Sequence, residues 1–260
     1  MELTEVLYEV EGGIATVTLN RPERRNPLGD VTLRELRQAM EAARSDAMVK
    51  VVVLTGAGDR AFCAGADLAG VHADATEVQK HQGRGLFVDL FVTMQELGKP
   101  IVAAVNGHAL AGGFGLAMGC DLVVAAESAT FGTPEINVGL WPMMIMAIIG
   151  RNLPRKRAME LYMTGERIDA ATAHAWGLVN RVVPQAEVMA EARSLASTLT
   201  AKSSLIMGLG RDAFYAIDGL GFEAALRHLQ SQLTLVTLSE DSKEGVTAFL
   251  EKRRPDFTGR

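Results

Sequence analysis

Cysteine is scarce in this chain. Cys63 and Cys120 are the only two among 260 residues, too few for a disulfide framework, and no CxxC pair offers a zinc site. An excess of basic charge is also missing. The 26 Lys and Arg against 31 Asp and Glu leave a net charge of −5, which argues against a nucleic-acid or membrane-surface protein. The five histidines, His72, His81, His108, His174 and His228, show no metal-ligand spacing. His108 is the best placed of them, beside a glycine-rich turn. No GxSxG, HExxH, GxxxxGKS or EF-hand pattern appears. Met1 is followed at once by Glu2 and Glu5, so neither a signal peptide nor a transit segment is expected, and the chain reads as cytoplasmic. One uncharged run, the 21 residues from Pro100 to Cys120, is long enough to span a bilayer. It holds Asn106, His108 and five glycines, and reads instead as a strand, a turn and a buried helix start. A second run, Ile136 to Gly150, is shorter and contains Pro142. Both are core, and no membrane span is expected.

What is present is an ordinary globular composition, 48% apolar and 22% charged. The length suits one large domain, or one domain with an appendage, able to bury about three quarters of its unfolded surface without a staple. VLYEV and IATVTLN flank Glu11-Gly12-Gly13 and predict a hairpin. Leu33, Leu36, Met40 and Ala43 share one face of a helix, for which Thr32 and Glu35 fit a capping box while Asp30 competes as N-cap. Short apolar runs at VKVVVLTG, IVAAV, DLVVAA and GLVNRVV alternate with helical patterns, which predicts an α/β fold with much parallel pairing. Beyond Pro184 only helical patterns remain. The predicted division lies near residue 195: an α/β core over 1–195 and a helical region over 196–260. Three short amphipathic helices rarely bury their own apolar faces, so this region should pack on the core or on another subunit.

Gly56-Ala57-Gly58-Asp59-Arg60-Ala61 follows a strand and fits a permissive dinucleotide fingerprint. The chain continues into another small-residue turn rather than opening a helix at the third position, so a glycine turn is the better reading. Two other turns carry more. They are Ala61-Phe62-Cys63-Ala64-Gly65-Ala66-Asp67-Leu68 and Asn106-Gly107-His108-Ala109-Leu110-Ala111-Gly112-Gly113-Phe114-Gly115. Small side chains let backbone amides approach a ligand, and amides at a helix start point outward unpaired. Converging, the two turns would make an oxyanion hole from backbone alone. Apart, they are tight packing.

AFCAGADL and VNGHALAGG, followed by CDLVVAAESATFGTPEINVGL, resemble the enoyl-CoA hydratase/isomerase (crotonase) superfamily. LNRPERRNPL, TGERIDAATAHAWGLVNRVVP and FLEKRRPDFTG are similar to the same family, in the same order, so the resemblance spans nearly the whole chain. It implies a spiral of ββα units with a C-terminal helical trimerisation region, assembled as a homotrimer or homohexamer. It also implies an acyl-CoA thioester substrate, with coenzyme A entering as part of that substrate and no metal or redox cofactor.

Carried over residue by residue, the resemblance places the oxyanion hole on the amides of Ala66 and Gly112, where two fixed donors stabilise a thioester enolate. Of the two glutamates that hold water in the well-studied hydratases, one matches Glu135 and the other matches Gly115, which has no side chain. Arg24 and Arg25 match the loop near the coenzyme A phosphates, and Ala64, Asp67 and Leu68 flank the adenine and pantetheine path. Trp141, Pro142, Met143 and Met144 are candidates for an apolar acyl pocket. The apolar neighbours Ile136, Val138, Leu140 and Trp141 predict a desolvated Glu135 with a raised pKa. One carboxylate is enough for a 3-enoyl to 2-enoyl isomerisation, which is the reading preferred at this point. Hydration of a 2-enoyl-CoA is the alternative, and a non-catalytic acyl-CoA-binding scaffold is the alternative of another class. Decarboxylation and thioester hydrolysis are also open to the superfamily.

Overall fold

The computed structural model describes residues 2–67 and 76–260. β1 (Val6–Glu11) and β2 (Ile14–Leu19) form the expected antiparallel hairpin, with Gly12 and Gly13 both at positive φ. β3 (Val51–Gly56), β5 (Ile101–Val105), β7 (Leu122–Ala126) and β10 (Arg181–Val183) extend it in parallel, in the order β1-β2-β3-β5-β7-β10. β3 and β5 are buried along their whole length, as their unbroken apolar runs require. A second sheet carries β4 (Ala61–Cys63), β6 (His108–Leu110) and β8 (Thr130–Gly132) in parallel, with β9 (Arg167–Asp169) antiparallel at its edge.

Chain order and sheet order together make the spiral. β3 enters the large sheet, β4 the small one, and helix α2 (Glu77–Gln95) follows. β5, β6 and α3 (Gly112–Met118) repeat that path one strand further along, and β7 and β8 repeat it again before a 3-10 turn at Pro134–Val138 and helix α4 (Met143–Asn152). This is the spiral of ββα units that the sequence resemblance implies.

Helix α1 (Asp30–Ser45) buries Leu33, Leu36, Met40 and Ala43 as expected, but its start differs. Gly29 is the N-cap, with no side-chain cap bond. Thr32 and Glu35 do not form a capping box because both are drawn to the N-terminal segment. The Thr32 hydroxyl donates to the Glu5 carboxylate, and Glu35 accepts from the amides of Thr4, Glu5 and Val6. Tertiary partners outcompete the local cap.

α5 (Arg155–Thr164) and α6 (Ala170–Ala175) flank β9, and α7 (Val188–Thr200) lies across β2, β3, β5 and β7. Ala192 and Ala196 are fully buried and let α7 approach the sheet closely. Residue 195 therefore falls inside a core helix. Helix α8 (Ser204–Ala216) is tied to the core by Arg211, whose guanidinium donates to Asp121 and to the carbonyls of Met94 and Gln95, while the Tyr215 hydroxyl donates to Asp121. Helix α9 (Phe222–Leu238) buries none of its residues, and α10 (Glu240–Leu250) leaves Phe249 and Leu250 exposed. Among the described residues no helix is long and apolar enough to cross a membrane.

Candidate active site

Because β4, β6 and β8 run parallel and adjacent, the chain leaves all three at the same edge of the small sheet. The three exits are the turn Ala64–Asp67, the start of α3 at Gly112, and Thr133 leading to Glu135. One hydrogen bond joins the second exit to the third, and another pins the first exit to the segment before α1. The Ala111 amide donates to the Gly132 carbonyl (2.9 Å), and the Leu28 amide donates to the Gly65 carbonyl (2.8 Å).

The small residues of the first two turns are required by close approach. A Cβ at Gly65 would lie 2.6 Å from the Ala111 methyl and 3.2 Å from the Gly112 nitrogen, and one at Gly113 would lie 2.2 Å from the Cys63 carbonyl oxygen. Ala111 itself takes φ 51°, a conformation that costs about 1–3 kcal/mol in a residue with a side chain. Packing alone thus accounts for Gly65 and Gly113, but it leaves the amides of Ala66 and Gly112 unexplained. Neither has an acceptor among the described residues. Gly112 opens α3, where first-turn donors have no intrahelical partner. Ala66 forms a one-residue parallel bridge with Leu28: the Leu28 amide binds the Gly65 carbonyl, and the Asp67 amide binds the Leu28 carbonyl. In such a bridge the central residue's own N–H faces away from the partner strand.

Glu135 lies in the 3-10 turn after β8. Thr133 is fully buried and its hydroxyl donates to the Leu161 carbonyl, which anchors the turn to α5. Gly165, at φ 66°, caps α5 and makes room for the turn: a Cβ there would sit 2.7 Å from Ile136 and 2.8 Å from Asn137. Glu135 Oε2 is buried without a hydrogen-bond partner. Burial pushes the carboxyl above the ordinary glutamate value, outweighing a contact from its own backbone amide. The direction and its cause, burial, match the sequence expectation. Of its four apolar sequence neighbours, Ile136, Val138 and Leu140 are themselves exposed, at 36%, 64% and 53%, and Trp141 is half-buried against the core.

Gly115 shows why no carboxylate stands at this position of α3. Its missing Cβ would lie 2.3 Å from Cγ2 of Ile145 and 3.5 Å from Phe91, so α4 is seated directly on bare α3 backbone. A Cβ at Gly112, on the same face, would meet Phe87 at 3.1 Å and Leu28 at 3.4 Å. This flank of α3 is lined with hydrocarbon.

The residues expected along the coenzyme A path are placed differently from one another. Asp67 is engaged by Arg24 (2.9 Å) and by Arg21 (3.0 Å), with its side chain only 6% exposed. The Ala64 amide donates to the Arg25 carbonyl, which ties the loop of Arg24 and Arg25 to the first turn. Leu68 lies outside the described residues. His108 hydrogen-bonds Thr130 through Nδ1, and burial, then Arg167 and Arg25, hold its pKa below the ordinary histidine value. In the expected acyl pocket Pro142 is buried, Trp141 sets its ring against Tyr162 at 6.2 Å, Met144 is half-buried, and Met143 is exposed. Sequence reasoning missed Arg21, Ile145, Gly165 and Asn26. Asn26 is buried and donates to the carbonyls of Ala57 and Ala61, closing the arginine loop onto β4. The stretch LNRPERRNPL marked that loop in the sequence, but not the partners of Arg21 and Asn26.

The family model for enoyl-CoA hydratase/isomerase matches residues 9–260. A putative enoyl-CoA hydratase of Thermus thermophilus is 39% identical over 96% of this chain and 100% of its own length. The 2,3-dehydroadipyl-CoA hydratase of Escherichia coli is 35% identical over 99% and 100%. Among solved structures, an enoyl-CoA hydratase from Mycobacterium smegmatis superimposes with a TM-score of 0.94 at 35% identity, covering 98% of this chain and 99% of that one.

Proposed function

Since the chain belongs to the enoyl-CoA hydratase/isomerase family, we propose that it adds water to the double bond of a 2-enoyl-CoA thioester. The observation that carries this is Glu135, half-buried with Oε2 buried and unpartnered, which leaves the same edge of the small sheet as the amides of Ala66 and Gly112, both without an acceptor among the described residues. The hydratase names of the relatives also favour water addition over a double-bond shift, so hydration replaces isomerisation as the first reading.

Ionised Glu135 takes a proton from water as the oxygen bonds to C3. The C2–C3 electron pair moves to C2 and into the thioester carbonyl, leaving an enolate whose oxygen accepts from the amides of Ala66 and Gly112. Glu135 then returns its proton to C2. A raised pKa suits a group that must take and give a proton within one cycle. One fixed oxyanion donor contributes on the order of 3–4 kcal/mol. Arg24 and Arg25 hold coenzyme A phosphates, Ala64 borders its path, and coenzyme A enters as part of the substrate.

One observation favours a second reading. With Ile145 on Gly115, Glu135 is the one carboxylate at the two family positions, which is all a 3-enoyl to 2-enoyl isomerisation requires: Glu135 removes a proton from C2 and returns it at C4. A panel of 2-enoyl- and 3-enoyl-CoA thioesters, assayed separately for water addition and double-bond shift, decides between them. Conversion of neither, with tight binding, would point to a binding scaffold.

The apolar face of α9 and α10 supports assembly. Phe222, Leu233, Leu238, Phe249 and Leu250 are between 62% and 82% exposed. We propose that further copies of this chain cover them in a homotrimer or homohexamer. A monomer by sedimentation at micromolar concentration would overturn that.

A further inference from the structure

We infer that Asp67 is a positioning residue that aims the Ala66 amide, an inference resting on the oxyanion reading of that amide. Ala66 has no side-chain bond of its own. It is held by the two flanking backbone bonds to Leu28, at 2.8 Å from the Leu28 amide and 3.0 Å to the Leu28 carbonyl. Those bonds fix where the peptide lies, but each end must also be kept from rotating. On the far side the only anchor among the described residues is the Asp67 carboxylate, with Arg21 on one oxygen and Arg24 on the other.

The inner half of the clamp is built for rigidity: Arg21 and Asp67 are withdrawn from solvent, while Arg24, 42% exposed, binds Asp67 through one nitrogen and leaves the others for a coenzyme A phosphate. Arg21 is 16% exposed and also reaches Glu5, which accepts from Thr32 of α1. The Arg21 backbone is closed by Asn26, whose carbonyl oxygen Oδ1 accepts from the Arg21 amide and whose own amide donates to the Arg21 carbonyl. The clamp rests on the N-cap of α1, where a Cβ at Gly29 would lie 3.6 Å from the Asp67 Cβ and 3.7 Å from the Arg21 guanidinium. The loop that supplies Leu28 therefore also supplies the arginines. Both partners of the Ala66 bridge are referred to one frame, and Asp67 closes it. With both carboxylate oxygens engaged, Asp67 acts through Ala66 and not on coenzyme A. A donor displaced by a fraction of an ångström from a developing oxyanion loses much of its effect.

The test reads the carbonyl directly. But-2-enoyl-CoA labelled with carbon-13 at the thioester carbonyl is bound to a Glu135→Gln enzyme, which prevents turnover, and its stretching frequency is followed by difference infrared spectroscopy. A red shift on binding is expected, reduced by at least about half when Asp67→Asn is added, with affinity kept within about threefold. In the enzyme with Glu135 intact, Asp67→Asn should lower kcat roughly ten- to a hundredfold and leave KM within about threefold. No red shift in Glu135→Gln would overturn the oxyanion reading and this inference with it. A red shift unchanged by Asp67→Asn would overturn this inference alone. If Asp67→Asn does not fold, Arg21→Lys keeps the charge without the two-pronged geometry. A reduced shift there supports the clamp, and an unchanged one rejects it.

Discussion

On the surface of α1, Glu35 lies under the N-terminal segment, only 8% exposed, and is surrounded by donors. Thr4 contributes its amide and hydroxyl, and Glu5 and Val6 contribute their amides, at 2.7 to 3.0 Å. Burial pushes its carboxyl up, but these bonds outweigh it and hold the pKa below the ordinary value. In the turn after β8, Glu135 is withdrawn from water with Oε2 unpartnered, and there burial wins. The same side chain is thus treated in opposite ways in two regions. A fully satisfied carboxylate is committed to its charge and can only hold structure. An unsatisfied one is shifted toward its protonated form, the direction that suits a group taking and returning a proton.

The largest way to disturb this contrast is to add a third carboxylate. Gly115→Glu should destabilise the fold by more than about 3 kcal/mol, because Ile145 occupies the space of its Cβ and the charge would enter an apolar wall. Chemical denaturation measures this. Adding Ile145→Ala should recover a substantial part of the loss, and a single variant as stable as the parent would mean that α4 moves aside freely.

Next in size is Glu35→Gln, which removes a charge from four donating groups. Each charge-assisted bond contributes about 1.5–3 kcal/mol when intact, and the amide retains some of them, so a loss of about 1–3 kcal/mol is expected. kcat and KM measured well below the unfolding transition should be unchanged.

Acidification should separate the two regions. Glu35, with its folded pKa lowered, contributes stability that is present above its unfolded pKa and lost as pH falls through the lower folded value. Glu135 must be ionised to act as base, and its raised pKa places that loss at higher pH. On lowering the pH, turnover should decline first, above the ordinary glutamate range, with the fold contribution failing only below it. Parallel decline of rate and fold would mean the two carboxylates are not distinguished.

The smallest effect is one of sign. Glu135's raised folded pKa favours the fold fully below the unfolded pKa, and that benefit is lost as pH rises through the folded value. Glu135→Gln should therefore raise the thermal midpoint slightly at neutral pH, a gain that vanishes below the ordinary glutamate pKa. Destabilisation at neutral pH would contradict this.

Much of the fold was legible because short, β-branched apolar runs such as VVVLTG and IVAAV fit strands covered on both faces. Glycine-rich turns were legible as close approaches, and the motif order pointed to the family. What could not be read was partnership. Thr32 and Glu35 carry a correct capping-box spacing, yet their partners lie about 30 residues away in the N-terminal segment. Glu135's desolvation was expected from its sequence neighbours, three of which are exposed. The seat of Ile145 on Gly115 joins two helices with no local pattern linking them, and Asp67 became intelligible only once Arg21 and Arg24 were seen on its two oxygens.

In the proposed reaction Glu135 carries the proton chemistry. That role is tested most directly by Glu135→Gln, with turnover of the best enoyl-CoA substrate measured alongside its binding affinity. Turnover should fall by roughly 10²-fold or more while affinity stays within a few-fold, since the amides of Ala66 and Gly112 bind the carbonyl through backbone. Full activity in that variant would contradict the account.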